Sequence, residues 1–113
     1  MKYEVTWTKS LEKDLNQIIE YMLSKEEFNT AKKIYEKIKN RIYLLDKIPE
    51  QGRLVPELQL LKIKKYREII INPWRVIYTI NKNKVFILLV IDGRRNLEDI
   101  LLDRLLRPVE KGF

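Results

Sequence analysis

The 113-residue chain contains no cysteine and no histidine. Without cysteine there is no disulfide and no thiolate nucleophile, which suits a cytosolic, cytoplasmic protein. Without histidine the usual neutral-pH proton carrier is missing, so a histidine-centred triad and a histidine metal site are excluded. Any general base would have to be Glu, Asp, Lys or Tyr. Long apolar runs are also missing. Val85 to Ile91 falls well short of the ~20 residues that span a bilayer, and the opening "MKYEVTWTKSLEKDL" has no signal-peptide core. A single soluble domain without membrane association is expected, large enough to bury a core unaided.

What is abundant is positive charge, +7 in net terms. Residues 1–60 hold eleven Lys/Arg against ten Asp/Glu, whereas residues 61–113 hold twelve against six. The excess therefore sits in the second half. Surplus positive charge attracts a polyanion or an acidic protein partner.

The alternation of Tyr3, Val5 and Trp7 with Lys2, Glu4 and Thr6 predicts a strand. Thr8 or Ser10 is placed to cap a helix carrying Leu11, Leu15, Ile18, Ile19 and Met22 at helical spacing. After "SKEEFN", Asn29 or Thr30 is placed to cap a second helix. Its apolar stripe is Ala31, Ile34, Tyr35, Ile38, Ile42 and Leu45, and its other face carries Lys32, Lys33, Glu36, Lys37 and Lys39. Charged helix faces usually meet only water, and this one is expected to do so. "IPEQGRLVPEL" (48–58) is a loop. Strands follow in 61–71, 74–80 and 85–91, joined by turns at Asn72-Pro73 and at 81–83. The last strand is apolar on both faces and should lie centrally. Asn96 is placed to cap a short helix from Leu97 to Leu106 that ends before Pro108. Its leucines are too many for a lone surface helix, so most should pack on the core. The expected fold is α+β, β-α-α-β-β-β-α: a mainly antiparallel four-stranded sheet with the helical hairpin packed on one face.

The sheet carries arginines that are expensive to bury without partners. With only a two-helix hairpin to cover it, one face should stay partly open. Arg75 is assigned to that face or its rim, Arg67 to the neighbouring strand, and Arg94 and Arg95 to the exit of the last strand. Lys62, Lys64 and Lys65 lie at the edge. Guanidinium forks match phosphate and carboxylate oxygens, so these seven residues are the candidate set for binding a polyanion or an acidic protein partner. The competing assignment pairs each arginine with a local carboxylate such as Glu68 or Asp92. Seven cations against one acid between residues 61 and 84 argue against complete internal pairing. Glu98, Asp99 and Asp103 are the only acidic cluster. Near Arg95, Arg104 and Arg107 they are expected to be salt-bridged, so no metal site and no cofactor is assigned.

The chain resembles the RelE/ParE superfamily of type II toxin-antitoxin toxins over nearly its whole length. "YEVTWTKSLEKDL" is similar to the family opening, and "LLDKIPEQGRLVPEL" carries Pro49, Gly52 and Arg53 at the family spacing. "YREIIINPWRVIY" and "ILLVIDGRRNLEDIL" resemble its central hairpin and arginine-rich exit. The resemblance implies a growth-inhibiting toxin held inactive by a cognate antitoxin, in a toxin-antitoxin hetero-oligomer. One branch of the superfamily cleaves mRNA in the ribosomal A site, and the other poisons DNA gyrase. For a metal-independent mRNA endonuclease the resemblance points to Arg75, Arg67 and either Arg94 or Arg95, of which Arg95 is taken, as catalytic residues. The family's second strand cation is replaced here by Ile69, its frequent histidine by Asp92, and residues 92–113 contain no tyrosine or histidine. Tyr66, Glu68 and Lys64 are the remaining candidates for proton transfer or stacking, and Tyr78 is assigned to core packing. These departures favour the gyrase branch over the ribosomal endonuclease. A binding-only module with a basic docking face is the third reading.

Overall fold

The structure, a computed structural model, describes residues 2–95 and 97–105. The assigned Asn96 cap, the end of the last helix at Leu106–Pro108 and Arg107 lie outside the described residues.

Strand β1 (Glu4–Trp7) leads directly into helix α1 (Lys9–Ser24). Thr8 is the cap between them, and its Oγ1 accepts from the Leu11 amide at 3.3 Å. The same hydroxyl donates to the Ile87 carbonyl at 2.7 Å, so one buried side chain fixes both the helix start and the strand beside it. A three-residue joint, with Glu26 at φ 59°, turns the chain into α2 (Phe28–Tyr43). This helix starts at Phe28, ahead of the expected Asn29 or Thr30 cap, and has no side-chain cap. Ala31, Ile38 and Ile42 of α2 are buried, but Tyr35 is 38% exposed and leaves the apolar stripe to which the sequence pattern assigns it. Leu45, buried, belongs to a 3-10 turn (Leu44–Asp46) that follows the helix.

The segment expected to be plain loop contains two small elements, strand β2 (Arg53–Leu54) and the one-turn helix α3 (Pro56–Gln59). Proline at the start of α3 is favoured because its missing N–H would have no helical partner there. Strands β3 (Tyr66–Ile71), β4 (Trp74–Asn81) and β5 (Lys84–Asp92) form a meander, with Asn72-Pro73 as its first turn. Helix α4 (Leu97–Leu105) follows.

The sheet has five strands in the order β1-β5-β4-β3-β2, one more than expected because β2 adds an edge. Only β1 runs parallel to its neighbour. β5 is paired on both sides, as its two apolar faces predict. Between Ile77 and Tyr78 the register slips, and Leu88 becomes an extra residue on β5. Leu88 and Leu89 therefore both bury on one side.

Both faces of the sheet are covered. On one, α1 and α2 pack Leu11, Leu15, Ile38 and Ile42 against Ile69, Val76 and Ile87. On the other, α3 and α4 bring Leu58, Leu97 and Leu101 against Tyr66, Ile77 and Leu89. The expectation of a partly open second face is thus corrected. The leucines of α4 close it, as the count of apolar residues there suggests. No described helix is long and apolar enough to cross a membrane.

Candidate functional site

The β3–β4 hairpin decides where the arginines point. Its register sets Ile70 opposite Arg75 and Arg67 opposite Tyr78. Side chains alternate along each strand, so Arg75 lies on the α3/α4 face and Arg67 on the α1/α2 face. The expected convergence on one concave side does not occur, because the two positions differ in strand parity.

Arg75 is 8% exposed and fully engaged. Its Nη1 and Nη2 donate to Glu57 Oε2 and Oε1, each at 2.8 Å, in a two-pronged pair. Its Nε donates to Glu68 Oε1 at 2.6 Å. Glu68, 1% exposed, accepts on its other oxygen from Arg53 Nε at 2.6 Å. Two carboxylates and two guanidinium groups thus alternate as Glu57–Arg75–Glu68–Arg53. Such charge-assisted bonds are what make a buried carboxylate tolerable. The Arg75 hydrogen bonds hold the Glu57 carboxyl below its ordinary range against the opposing effect of burial. Contact with Glu57, and then Glu68, raises the guanidinium of Arg75 further. Glu68, a candidate for proton transfer, therefore spends both oxygens inside the fold. Glu57 is the partner the sequence reading missed.

A second lock lies on the opposite face. The Tyr78 hydroxyl donates to the Pro49 carbonyl at 2.7 Å and accepts from the Gly52 amide at 2.9 Å. Burial pushes this phenol up from its usual value. Arg67 Nη1 donates to the Gly52 carbonyl at 2.8 Å. The segment Pro49–Arg53 is thus tied to the hairpin by Tyr78, Arg67 and Glu68, so Tyr78 does more than pack. Tyr78→Phe should keep the fold while lowering unfolding free energy by about 1–3 kcal/mol, because it leaves a buried amide and a carbonyl unpaired. Chemical denaturation checks this, and a change below ~0.5 kcal/mol would show that water replaces both bonds.

The remaining candidates are dispersed. Arg94 is exposed and pairs with Asp92, with Nη2 to Oδ2 at 2.7 Å and the backbone N–H to Oδ1 at 2.9 Å. Arg94 lowers the Asp92 carboxyl to about 2. Arg95 is exposed beside this turn. Lys62, Lys64 and Lys65 are all exposed in the loop before β3, where Lys65 Nζ sits 5.1 Å from the centre of the Tyr66 ring. Arg104 reaches Asp14 of α1 at 3.0 Å, an ion pair that the expected pairing within α4 did not include. Among the described residues no group of His, Asp or Glu side chains is arranged to hold a metal.

A groove of about 770 Å³ lies where the tip of the α1–α2 hairpin, the Pro73–Trp74 turn, the end of β5 and α4 meet. Ile18, Met22, Ile34, Trp74 and Ile100 give it apolar walls. Its rim carries both signs, with Asp14 and Asp92 beside Arg94, Arg95 and Arg104.

The chain is a small α+β domain with a helical hairpin on one face of its meander and arginines spread around the sheet. A solved structure described as the chromosomal ParDE TA system from P. aeruginosa shares the fold with a TM-score of 0.66 at 17% identity, covering 80% of this chain and 96% of that one. No curated protein matches the sequence. The family model described as the ParE toxin of the type II toxin-antitoxin system, parDE, matches residues 5–97, and the chain belongs to that family.

Proposed function

We propose that this toxin inhibits growth by binding DNA gyrase or the replication machinery, without nuclease chemistry, and is neutralised by a cognate antitoxin. The observation that carries this reading is the separation of Arg67 from Arg75. RNA cleavage by a 2′-hydroxyl needs a base, an acid and positive charge around one phosphate. Here Arg67 and Arg75 lie on opposite faces of the sheet, and Arg75 and Glu68 are bound to each other. The ribosomal endonuclease reading would require this network to open. The exposed cations Lys62, Lys64, Lys65, Arg94 and Arg95 then serve as docking groups for an acidic surface. The groove beside α4 offers an apolar seat for an antitoxin segment, with charges of both signs to fix its direction.

Pulse-labelling of DNA and protein synthesis just after induction from a tightly repressed promoter tests the target. DNA synthesis is expected to fall first. If protein synthesis stops first, the ribosomal reading replaces this one. Unimpaired growth would point to the binding-only module.

A further inference from the structure

Helix α2 carries a stripe that neither the core nor the proposed target uses. Phe28, Lys32, Tyr35, Lys39 and Tyr43 follow one another at spacings of four, three, four and four residues, which places them on one helix face. Over these residues the chain alternates ring, cation, ring, cation, ring for about 22 Å. The rings face water: Phe28 is 61%, Tyr35 38% and Tyr43 50% exposed. The helix holds five Lys/Arg against the single acid Glu36. At its C-terminal end the stripe opens into a cleft of about 320 Å³ between α1 and α2. Tyr35, Lys39 and Tyr43 form one side, Glu12 and Asn16 the other, with Trp7 beside them. The Trp7 and Tyr43 rings lie 5.9 Å apart, tilted at 42°.

We propose that this face of α2 binds single-stranded nucleic acid, with bases stacked on Phe28, Tyr35 and Tyr43 and backbone phosphates paired with Lys32 and Lys39. Exposed rings interleaved with cations fit a chain that alternates flat bases and phosphates. A duplex keeps its bases stacked inside, out of reach of the rings. An acidic peptide would satisfy the lysines but leave three exposed rings without a match. The cleft takes one base, whose edge meets Glu12 and Asn16. This binding goes beyond the proposed target and does not depend on it.

The test is fluorescence anisotropy of the full chain with fluorescein-labelled dT15, rU15 and a duplex of equal length. The wild type should bind a single strand more tightly than the duplex at the same salt. The dT15 and rU15 arms assign DNA or RNA as the preferred strand. Tyr35→Ala with Tyr43→Ala should weaken binding at least tenfold. Lys32→Gln with Lys39→Gln should shrink the slope of log K against log salt by roughly 1.4. In a Trp74→Phe background, Trp7 is the only remaining tryptophan, and its fluorescence should be quenched when dT15 or rU15 binds. Circular dichroism confirms that each variant is folded. Equal affinity for duplex and single strand, unchanged affinity in the tyrosine double variant, or no binding by the wild type would each overturn the proposal.

Discussion

Arg75→Ala should unfold at markedly lower temperature than the wild type, with a loss of about 3–5 kcal/mol, the range for removing one partner of a buried ion pair. The deletion leaves Glu68, whose side chain is fully buried, with Arg53 alone, and strips both oxygens of Glu57. A domain of this size is stable by only about 5–15 kcal/mol, so the change removes a large share. Calorimetry on the purified variant measures it. A companion variant discriminates causes. Arg75→Met with Glu68→Leu fills the same space without charge and should recover much of the loss, since well-packed apolar replacements of buried pairs are often neutral. If Arg75→Ala loses less than ~1 kcal/mol, the network contributes little and water must be solvating Glu68. Any loss of toxicity in Arg75→Ala has to be compared with its folded fraction before it is assigned to a target site.

The same network has a pH signature. Because the folded state holds Glu57 below the ordinary 4.5, its contribution is present above that value and disappears as pH falls through the lowered folded value. Acid should therefore narrow the stability gap between wild type and Arg75→Ala.

Gly52→Ala is the other change with a large expected effect. An added Cβ would lie 2.5 Å from the Glu68 carbonyl oxygen and 2.6 Å from the Tyr78 hydroxyl. The first is strand backbone and the second is held by Pro49, so neither has room to retreat. The loop must lift, and with it go the Tyr78 and Arg67 bonds to residues 49–52. Overpacking of this kind costs about 1–3 kcal/mol, occasionally more, and the lost bonds add to it. A lowered urea midpoint, with faster amide exchange confined first to residues 48–55, is the expected result. An unchanged midpoint would mean that this segment is not clamped. The glycine is needed for close approach, and its φ is not positive.

Much of this fold could be read from alternation and helical spacing: the strand before the hairpin, both long helices, the meander and the apolar last helix. β2 was not legible, because two residues between prolines and a glycine carry no periodic signal. The facing of the arginines was legible and was misjudged. With Asn72-Pro73 as a two-residue turn, Ile71 pairs with Trp74, and counting outward sets Arg67 against Tyr78 and Arg75 against Ile70. That count alone separates the two guanidinium groups. Glu57 lies beyond such counting, since a one-turn helix eighteen residues before Arg75 brings it to the network. The groove beside α4 arises from four separate elements and leaves no local trace in the sequence. On α2 the sequence pattern assigns Tyr35 to the core and the lysines to a solvated face, and only the 38% exposure of Tyr35 joins them into one stripe.

Strand β1 has a consequence for how the protein is made. It leaves the ribosome well ahead of its partner β5, and the Thr8 hydroxyl that closes this edge bonds a carbonyl 79 residues away. Until β5 has emerged, β1 and the α1–α2 hairpin have no sheet to rest on. Contacts of such long sequence separation form late and slow folding. The nascent toxin therefore carries open apolar surface from the emergence of β1 until β5 joins it. A partner already present at that moment would meet the toxin at its first folded instant.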